Sequence, residues 1–207
     1  MKALILVDLQ NDFMPGGALA VAEGDAVVAV ANRLIPRFEL VVATQDWHPA
    51  DHGSFAANHE GRRPGEVIDL EGLDQVLWPV HCVQGSAGAA FHADLDVDGL
   101  TEVFPKGQDA TVDSYSGFFD NGKRRATGLG DYLKAQGVDE VFVMGLATDY
   151  CVKFTALDAA ALGFKTSLVA DGCRAVNLQP EDGAAAIAEM AAAGIEIVAS
   201  TSLVPVG

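Results

Sequence analysis

Three residues with reactive side chains lie at the ends of short apolar segments of this sequence. Asp8 closes "ALILVD", Lys106 lies in "TEVFPKG" and Cys151 follows "EVFVMGLA". A thiolate attacks carbonyl carbon, a carboxylate can carry the thiol proton, and an ammonium nearby favours the thiolate. Each residue also has a plain structural interpretation: a buried core thiol, a turn cap and a solvated surface charge. The pattern alone leaves both interpretations open.

Cys151 would lie in the first turn of a helix capped by Thr148 or Asp149. Free backbone N–H groups and the helix dipole lower the pKa of a thiol at that place, and they can hold an oxyanion. No histidine lies close to Cys151 in the sequence, so a cysteine–histidine pair would need distant residues.

A second stretch, "QDWHPADHGSFAANH" (45–59), could bind a metal ion. If Asp46 and His48 end a strand, their spacing of two puts both side chains on one side. His81 in "WPVHC" is the candidate third ligand, and two imidazoles with one carboxylate suit zinc, iron(II) or manganese. The alternative is that a histidine-rich loop is only polar surface.

The elements that must position these residues alternate along the chain. Apolar runs rich in β-branched residues predict buried parallel strands at 3–8, 40–46, 140–147, 166–171 and 195–200, with a weaker one at 101–107. Helical spacing of apolar residues predicts helices at 24–38, 128–137, 148–163 and 180–194. Residues 47–100 and 107–127 are irregular, as functional loops often are.

This alternation predicts an α/β fold: one domain over residues 1–207, with an open, mostly parallel sheet of about six strands and helices on both faces. Ligands of such sheets bind outside the carboxyl ends of the strands. We therefore expect Asp8, Asp46, Lys106 and Cys151 to meet there.

Composition excludes several classes of function. The 13 basic and 29 acidic residues leave a net charge of −16, which disfavours nucleic acid and anionic membranes as partners. The apolar amino terminus is too short for a membrane span, and three scattered cysteines imply no disulfide framework, so we expect a cytoplasmic protein. Neither GxGxxG nor GxxxxGK[ST] occurs where nucleotide binding would need it.

Six segments, in this order, resemble the nicotinamidases (also called pyrazinamidases) of the isochorismatase-like cysteine hydrolases. They are "ALILVDLQNDFMPGGALAV" (3–21), "ATQDWHPADHGSFAANH" (43–59), "WPVHC" (78–82), "FPKG" (104–107), "DSYSGFFDNG" (113–122) and "GLATDYCV" (145–152). The resemblance covers nearly the whole chain and implies a Rossmann-like three-layer fold.

The resemblance also implies roles for particular residues. The family's catalytic triad matches Asp8, Lys106 and Cys151, and its oxyanion hole matches the backbone N–H groups of Ala147 and Cys151, with a cis peptide at Leu146–Ala147. Its ligands for one divalent metal ion match Asp46, His48 and His81, with His52 in the region of a fourth ligand found in some members. The substrate-binding residues match Phe13, Trp78, Tyr115 and Leu146.

The activity implied is hydrolysis of nicotinamide to nicotinate and ammonia through an acyl-thioester, in NAD salvage, with pyrazinamide as a further substrate. The metal would bind the pyridine nitrogen and hold waters. The expected partner is this small amide, and a homo-oligomer is compatible with the sequence. Two rivals are another amidase or isochorismatase-type hydrolase of the same fold, and a non-catalytic α/β binding protein that keeps the pocket.

Overall fold

The fold is built on a parallel sheet of six strands in the order β5-β2-β1-β6-β7-β8. The computed structural model describes residues 1–204. The strands of this sheet are β1 (Lys2–Val7), β2 (Leu40–Asp46), β5 (Glu102–Lys106), β6 (Glu140–Leu146), β7 (Lys165–Arg174) and β8 (Glu196–Val198). Every pairing between them is parallel, which confirms the predicted sheet and includes the weaker strand prediction at 101–107.

The first strand lies at the centre of the sheet. Residues 3–7 of β1 have no exposed surface, and β1 pairs with β2 on one side and β6 on the other. Continuous apolar strands of this kind need cover on both faces. That requirement fixes the layered architecture around the site.

Four helices provide this cover: α1 (Ala26–Leu34), α2 (Leu129–Ala135), α3 (Lys153–Ala161) and α4 (Asp182–Ala192). The chain moves from β1 to β2 in one direction along the sheet and from β6 to β7 in the other. Right-handed crossovers in opposite directions put α1 and α3 on opposite faces. None of the helices in residues 1–204 has the length and apolar character needed to span a bilayer.

Two local features differ from the sequence prediction. Inside the segment predicted to be irregular, β3 (Val67–Leu70) and β4 (Leu73–Val76) form a separate antiparallel hairpin. The helix predicted over 148–163 begins with a π-helical turn, Thr148–Val152, before α3. Both features contribute to the candidate site.

A glycine shapes the end of β6. Gly145 has φ +129°, and a Cβ there would lie 2.2 Å from the Val7 carbonyl oxygen of β1. Glycine thus lets β1 and β6 approach at the point where both strands lead into the candidate site.

Candidate active site

Three side chains from separate strand ends meet at the carboxyl edge of the sheet, as predicted. Asp8 follows β1, Lys106 ends β5, and Cys151 lies in the turn after β6. Lys106 Nζ lies 2.9 Å from Asp8 Oδ2 and 3.4 Å from Cys151 Sγ. All three are buried, so their mutual electrostatic interactions are strong.

Lys106 is held as a cation. Its ammonium also contacts the carboxylate of Asp46 and donates to the Ser114 carbonyl oxygen at 2.9 Å. Burial disfavours the charge, but Asp46 and Asp8 hold the pKa of Lys106 well above its ordinary value. The lysine therefore supplies a fixed positive charge between a carboxylate and a thiol.

Asp8 is suited to accept and return a proton. Burial, with help from Asp46 and against Lys106, raises the pKa of Asp8 to about 6. Thr44 Oγ1 donates to Asp8 Oδ1 at 2.6 Å, whereas Oδ2 faces the Lys106 ammonium at 2.9 Å. A carboxyl group with a pKa near neutrality meets the requirement for general acid–base catalysis.

The thiol differs from the sequence expectation. Burial, followed by the charges of Asp8 and Asp46, raises the pKa of Cys151 well above its ordinary value despite the nearby Lys106. The lowered pKa expected for this thiol was therefore wrong for the resting site, because desolvation and the two carboxylates outweigh the effect of Lys106. Cys151 rests as a thiol whose proton must be removed.

The turn that carries Cys151 has no side-chain cap. Ala147 is the residue before it, and its carbonyl oxygen accepts hydrogen bonds from the N–H groups of Tyr150 and Val152, both at 3.1 Å. The expected cap by Thr148 or Asp149 was wrong, since the Asp149 carboxylate bonds elsewhere. The predicted cis peptide at Leu146–Ala147 is confirmed.

Asp46, His48 and His81 offer ligand atoms that all lie within 4.8 Å of one another. Nδ1 of His48 hydrogen-bonds to the Gly107 carbonyl oxygen and Nδ1 of His81 to that of Pro79, both at 2.8 Å. Donation from Nδ1 leaves Nε2 of each ring to face Asp46 Oδ2, at 3.6 and 3.8 Å.

The chemistry of these donors fits a divalent transition ion. Burial and His48 lower the pKa of His81 to about 4, so this imidazole is neutral, as a ligand must be. Burial would raise the pKa of Asp46, but the charges of Lys106 and His48 lower it, which keeps the carboxylate ionised. Two nitrogens and one oxygen leave further coordination positions open, as in catalytic sites.

His52 is next to these three residues without joining their group. Its ring centroid lies 4.4 Å from that of His48, and its buried Nε2 has no hydrogen-bond partner. It shares a second group of close ligand atoms with His48 and Asp113. An unpartnered buried nitrogen supports the interpretation of His52 as a residue near a metal.

A small cavity of about 30 Å³ is lined by Cys151 and by the three candidate metal ligands, Asp46, His48 and His81. Phe13, Trp78 and Tyr115 line it, as predicted, together with Ala147 and Cys151. Leu146, which the sequence also predicted as a binding residue, does not line this cavity and is buried in the core.

Sequence reasoning missed several residues of the cavity and its support: Leu19, Thr44, Gln75, Asp113 and Val176. Gln75 of β4 donates to Asp113 Oδ2 at 3.0 Å and to the Tyr115 hydroxyl at 3.1 Å, and Trp78 Nε1 donates to the same hydroxyl at 3.2 Å. The hairpin therefore supports the aromatic wall. The sequence of the hairpin has no pattern that indicates a role at the site. Asp113 and Tyr115 both lie in the segment "DSYSGFFDNG" (113–122).

Known proteins resemble this chain over nearly its full length. The isochorismatase domain model matches residues 2–202. The nicotinamidase of Escherichia coli (strain K12) is 58% identical over 197 residues, which cover 93% of this chain and 92% of that protein.

Two solved structures share the fold. A nicotinamidase/pyrazinamidase of Acinetobacter baumanii has a TM-score of 0.95 and 47% identity and covers 98% of both chains. The pyrazinamidase of Pyrococcus horikoshii in complex with zinc has a TM-score of 0.78 and 40% identity, covering 96% of this chain and 98% of its own. The chain belongs to the isochorismatase family.

Proposed function

We propose that this chain is a nicotinamidase: a hydrolase that converts nicotinamide to nicotinate and ammonia and also hydrolyses pyrazinamide. The observation that carries the proposal is the meeting of Cys151, Lys106 and Asp8 in a pocket beside Asp46, His48 and His81. The E. coli nicotinamidase, at 58% identity, supports the substrate.

Acylation begins with transfer of the Cys151 proton to Asp8, whose pKa of about 6 suits that exchange. The Sγ atom then attacks the carboxamide carbon and forms a C–S bond, while the carbonyl π electrons move to oxygen. Ala147 and Cys151 both line the pocket, and their backbone N–H groups are proposed to stabilise this oxyanion.

Collapse of the tetrahedral intermediate breaks the C–N bond. Asp8 returns its proton to the departing nitrogen, ammonia leaves, and an acyl-thioester on Cys151 remains. A water molecule, deprotonated by Asp8, then attacks the thioester carbon. The C–S bond breaks, the thiol regains the proton held by Asp8, and the product leaves as nicotinic acid, which ionises to nicotinate by releasing the remaining proton of the water.

Lys106 would act on both partners without taking a proton itself. Its ammonium, 3.4 Å from Cys151 Sγ, stabilises the thiolate once it forms. The same ammonium lies 2.9 Å from Asp8 Oδ2 and stabilises the ionised form of Asp8 before the proton arrives. A lysine at this position therefore stabilises the negative charge both when it lies on Asp8 and when it lies on Cys151.

Asp46, His48 and His81 would hold one divalent ion, and the unpartnered Nε2 of His52 lies nearby. When bound, the ion supplies a Lewis acid at the wall of the pocket. The zinc of the P. horikoshii pyrazinamidase supports zinc, and the same donors suit iron(II) and manganese. Phe13, Trp78 and Tyr115 would enclose the ring.

The test is ammonia release from nicotinamide and pyrazinamide by the purified protein, with Cys151→Ala against Cys173→Ala. Cys173 is also buried but lies in β7, outside the cavity. We expect Cys151→Ala to lose at least about a thousandfold in kcat and Cys173→Ala to keep activity. Release of ammonia by Cys151→Ala at the wild-type rate would refute the mechanism.

Further measurements distinguish the proposed nicotinamidase from the two rival functions. Zinc binding to the metal-stripped protein is followed by calorimetry, with His81→Ala expected to weaken it at least about tenfold. Activity on isochorismate alone would favour an isochorismatase. Tight binding of nicotinamide without turnover, with any of the three metals, would favour a binding protein.

We further propose that residues 1–207 form one domain, which the match of the family model to residues 2–202 supports. The three free buried cysteines agree with the predicted cytoplasmic compartment, where thiols stay reduced.

A further inference from the structure

Asp149 is a buried carboxylate that the proposed mechanism does not use. It lies in the turn Thr148–Val152, and its side-chain oxygens accept hydrogen bonds from Val176 N at 2.9 Å and Asn177 N at 2.8 Å. Only 6% of its surface is exposed, and no ion pair to it occurs within residues 1–204. A buried carboxylate without a counter-ion is costly unless such hydrogen bonds compensate it.

These two hydrogen bonds join loops that follow neighbouring strands. Residues 175–177 follow β7, and β7 pairs with β6 so that Cys173 lies opposite Gly145 and Arg174 opposite Leu146. The next contact continues the connection: Asn177 Oδ1 accepts a hydrogen bond from Gly183 N of α4 at 2.9 Å. The loop is thereby attached to the nucleophile's turn at one end and to a helix at the other.

Val176 is the residue of this loop that reaches the candidate site. It lines the cavity of about 30 Å³ together with Cys151 and Leu19. At roughly 10–15 Å³ of such volume for each water, this cavity holds about two waters. Val176 is therefore one of the residues that bound the room available around a substrate ring.

We infer that Asp149 is a positioning residue that fixes Val176 at the wall of the substrate pocket and so helps to determine which ring-substituted amides the enzyme accepts. The inference rests on the proposed function and deepens it. Asp149 touches neither the reacting atoms nor the metal ligands, and it acts through the backbone of the loop at residues 175–177.

The test measures a ratio in one enzyme preparation: kcat/KM for a ring-methylated nicotinamide divided by kcat/KM for nicotinamide. This ratio does not depend on the fraction of folded enzyme, so a purely structural defect leaves it unchanged. Val176→Ala should raise the ratio about tenfold for at least one methylated amide, which is the scale of one methyl group in an apolar pocket. Asp149→Asn should raise it for the same amide, because the amide nitrogen cannot accept a hydrogen bond.

Asp158→Asn is the matched control. Asp158 is also a mostly buried carboxylate, on α3, but it pairs with Lys123 at 2.7 Å and does not contact the loop. Its ratio should equal that of the wild type. An unchanged ratio in Asp149→Asn, or in Val176→Ala, would overturn the inference.

Hydrogen exchange tests the same contact without relying on activity. In the wild-type protein the amides of Val176 and Asn177 should be protected, and Asp149→Asn should increase their exchange rates. Exchange of both wild-type amides at the rate of an unstructured peptide would refute the role of Asp149, even if the variant does not fold. If the wild type releases no ammonia from nicotinamide, the proposed function fails, while the exchange result still decides whether Asp149 holds the loop.

Discussion

At the scale of single residues, burial sets the direction of the pKa shifts of Asp8 and Cys151, whereas neighbouring charges set those of Lys106 and Asp46. Asp8 and Cys151 both hold their protons more tightly than usual because desolvation outweighs the nearby Lys106. The residue types and their placement at strand ends were predictable from the sequence. The direction of the thiol pKa was not, because desolvation depends on packing by residues far away in the chain.

The pH dependence of activity follows from Asp8. It must be ionised to take the thiol proton, and its pKa is about 6. We expect kcat/KM for nicotinamide to fall about tenfold for each pH unit below that value, as the carboxylate becomes protonated. A pH–rate profile of the zinc-loaded enzyme tests this, with Thr44→Val for comparison. Loss of the Thr44 hydrogen bond should move the acidic limb to higher pH, and an unmoved limb would exclude Asp8 as its source.

Asp8 should also lower the stability of the protein above pH 6. Its pKa is 3.8 ordinarily and about 6 in the fold, so the folded state holds the proton more tightly. As the pH rises through this window, folding loses about 3 kcal/mol, at 1.36 kcal/mol per pKa unit. Asp8→Asn should therefore be more stable than the wild type at pH 7.5, with a smaller difference at pH 4. Urea unfolding at both pH values measures this, and a constant difference would contradict it.

At the scale of elements, strands of the main sheet were predictable and the hairpin was not. Strands buried on both faces have continuous apolar runs, as in β1 and β6. The hairpin strands, "VIDL" and "LDQV", pair only with each other and alternate between more and less exposed residues. Strands of only four residues are difficult to distinguish from loops, yet they deliver Gln75 to the site.

Gly145 links the geometry of two strands to that of the site. In Gly145→Ala, the new Cβ would meet the Val7 carbonyl oxygen at 2.2 Å, and φ of +129° adds strain. We expect this variant to lose at least about 3 kcal/mol of stability or to fail to fold. Gly137→Ala is the control, since φ there is +73° but no atom lies within 4 Å, and it should cost only about 1 kcal/mol. Equal losses in thermal unfolding would show that the contact with Val7 is unimportant.

At the scale of the whole molecule, the net charge of −16 opposes compact folding through self-repulsion. Adding NaCl should raise the free energy of unfolding, because the Debye length falls from about 30 Å at 0.01 M salt to about 8 Å at 0.15 M. Denaturant unfolding at both salt concentrations measures the effect. A decrease in stability on adding NaCl would show that favourable ion pairs outweigh the repulsion.

The central position of β1 has a consequence for synthesis of the chain. β1 leaves the ribosome before both of its neighbours: it pairs with β2 over residues 40–44, but its other edge stays open until residues 140–145 of β6 are made. During that interval a nascent chain exposes an apolar strand edge, the kind of surface on which polypeptides aggregate. Asp8 and Cys151 come together only when β1 pairs with β6. The nascent chain therefore assembles its reactive centre and covers this aggregation-prone edge in a single event.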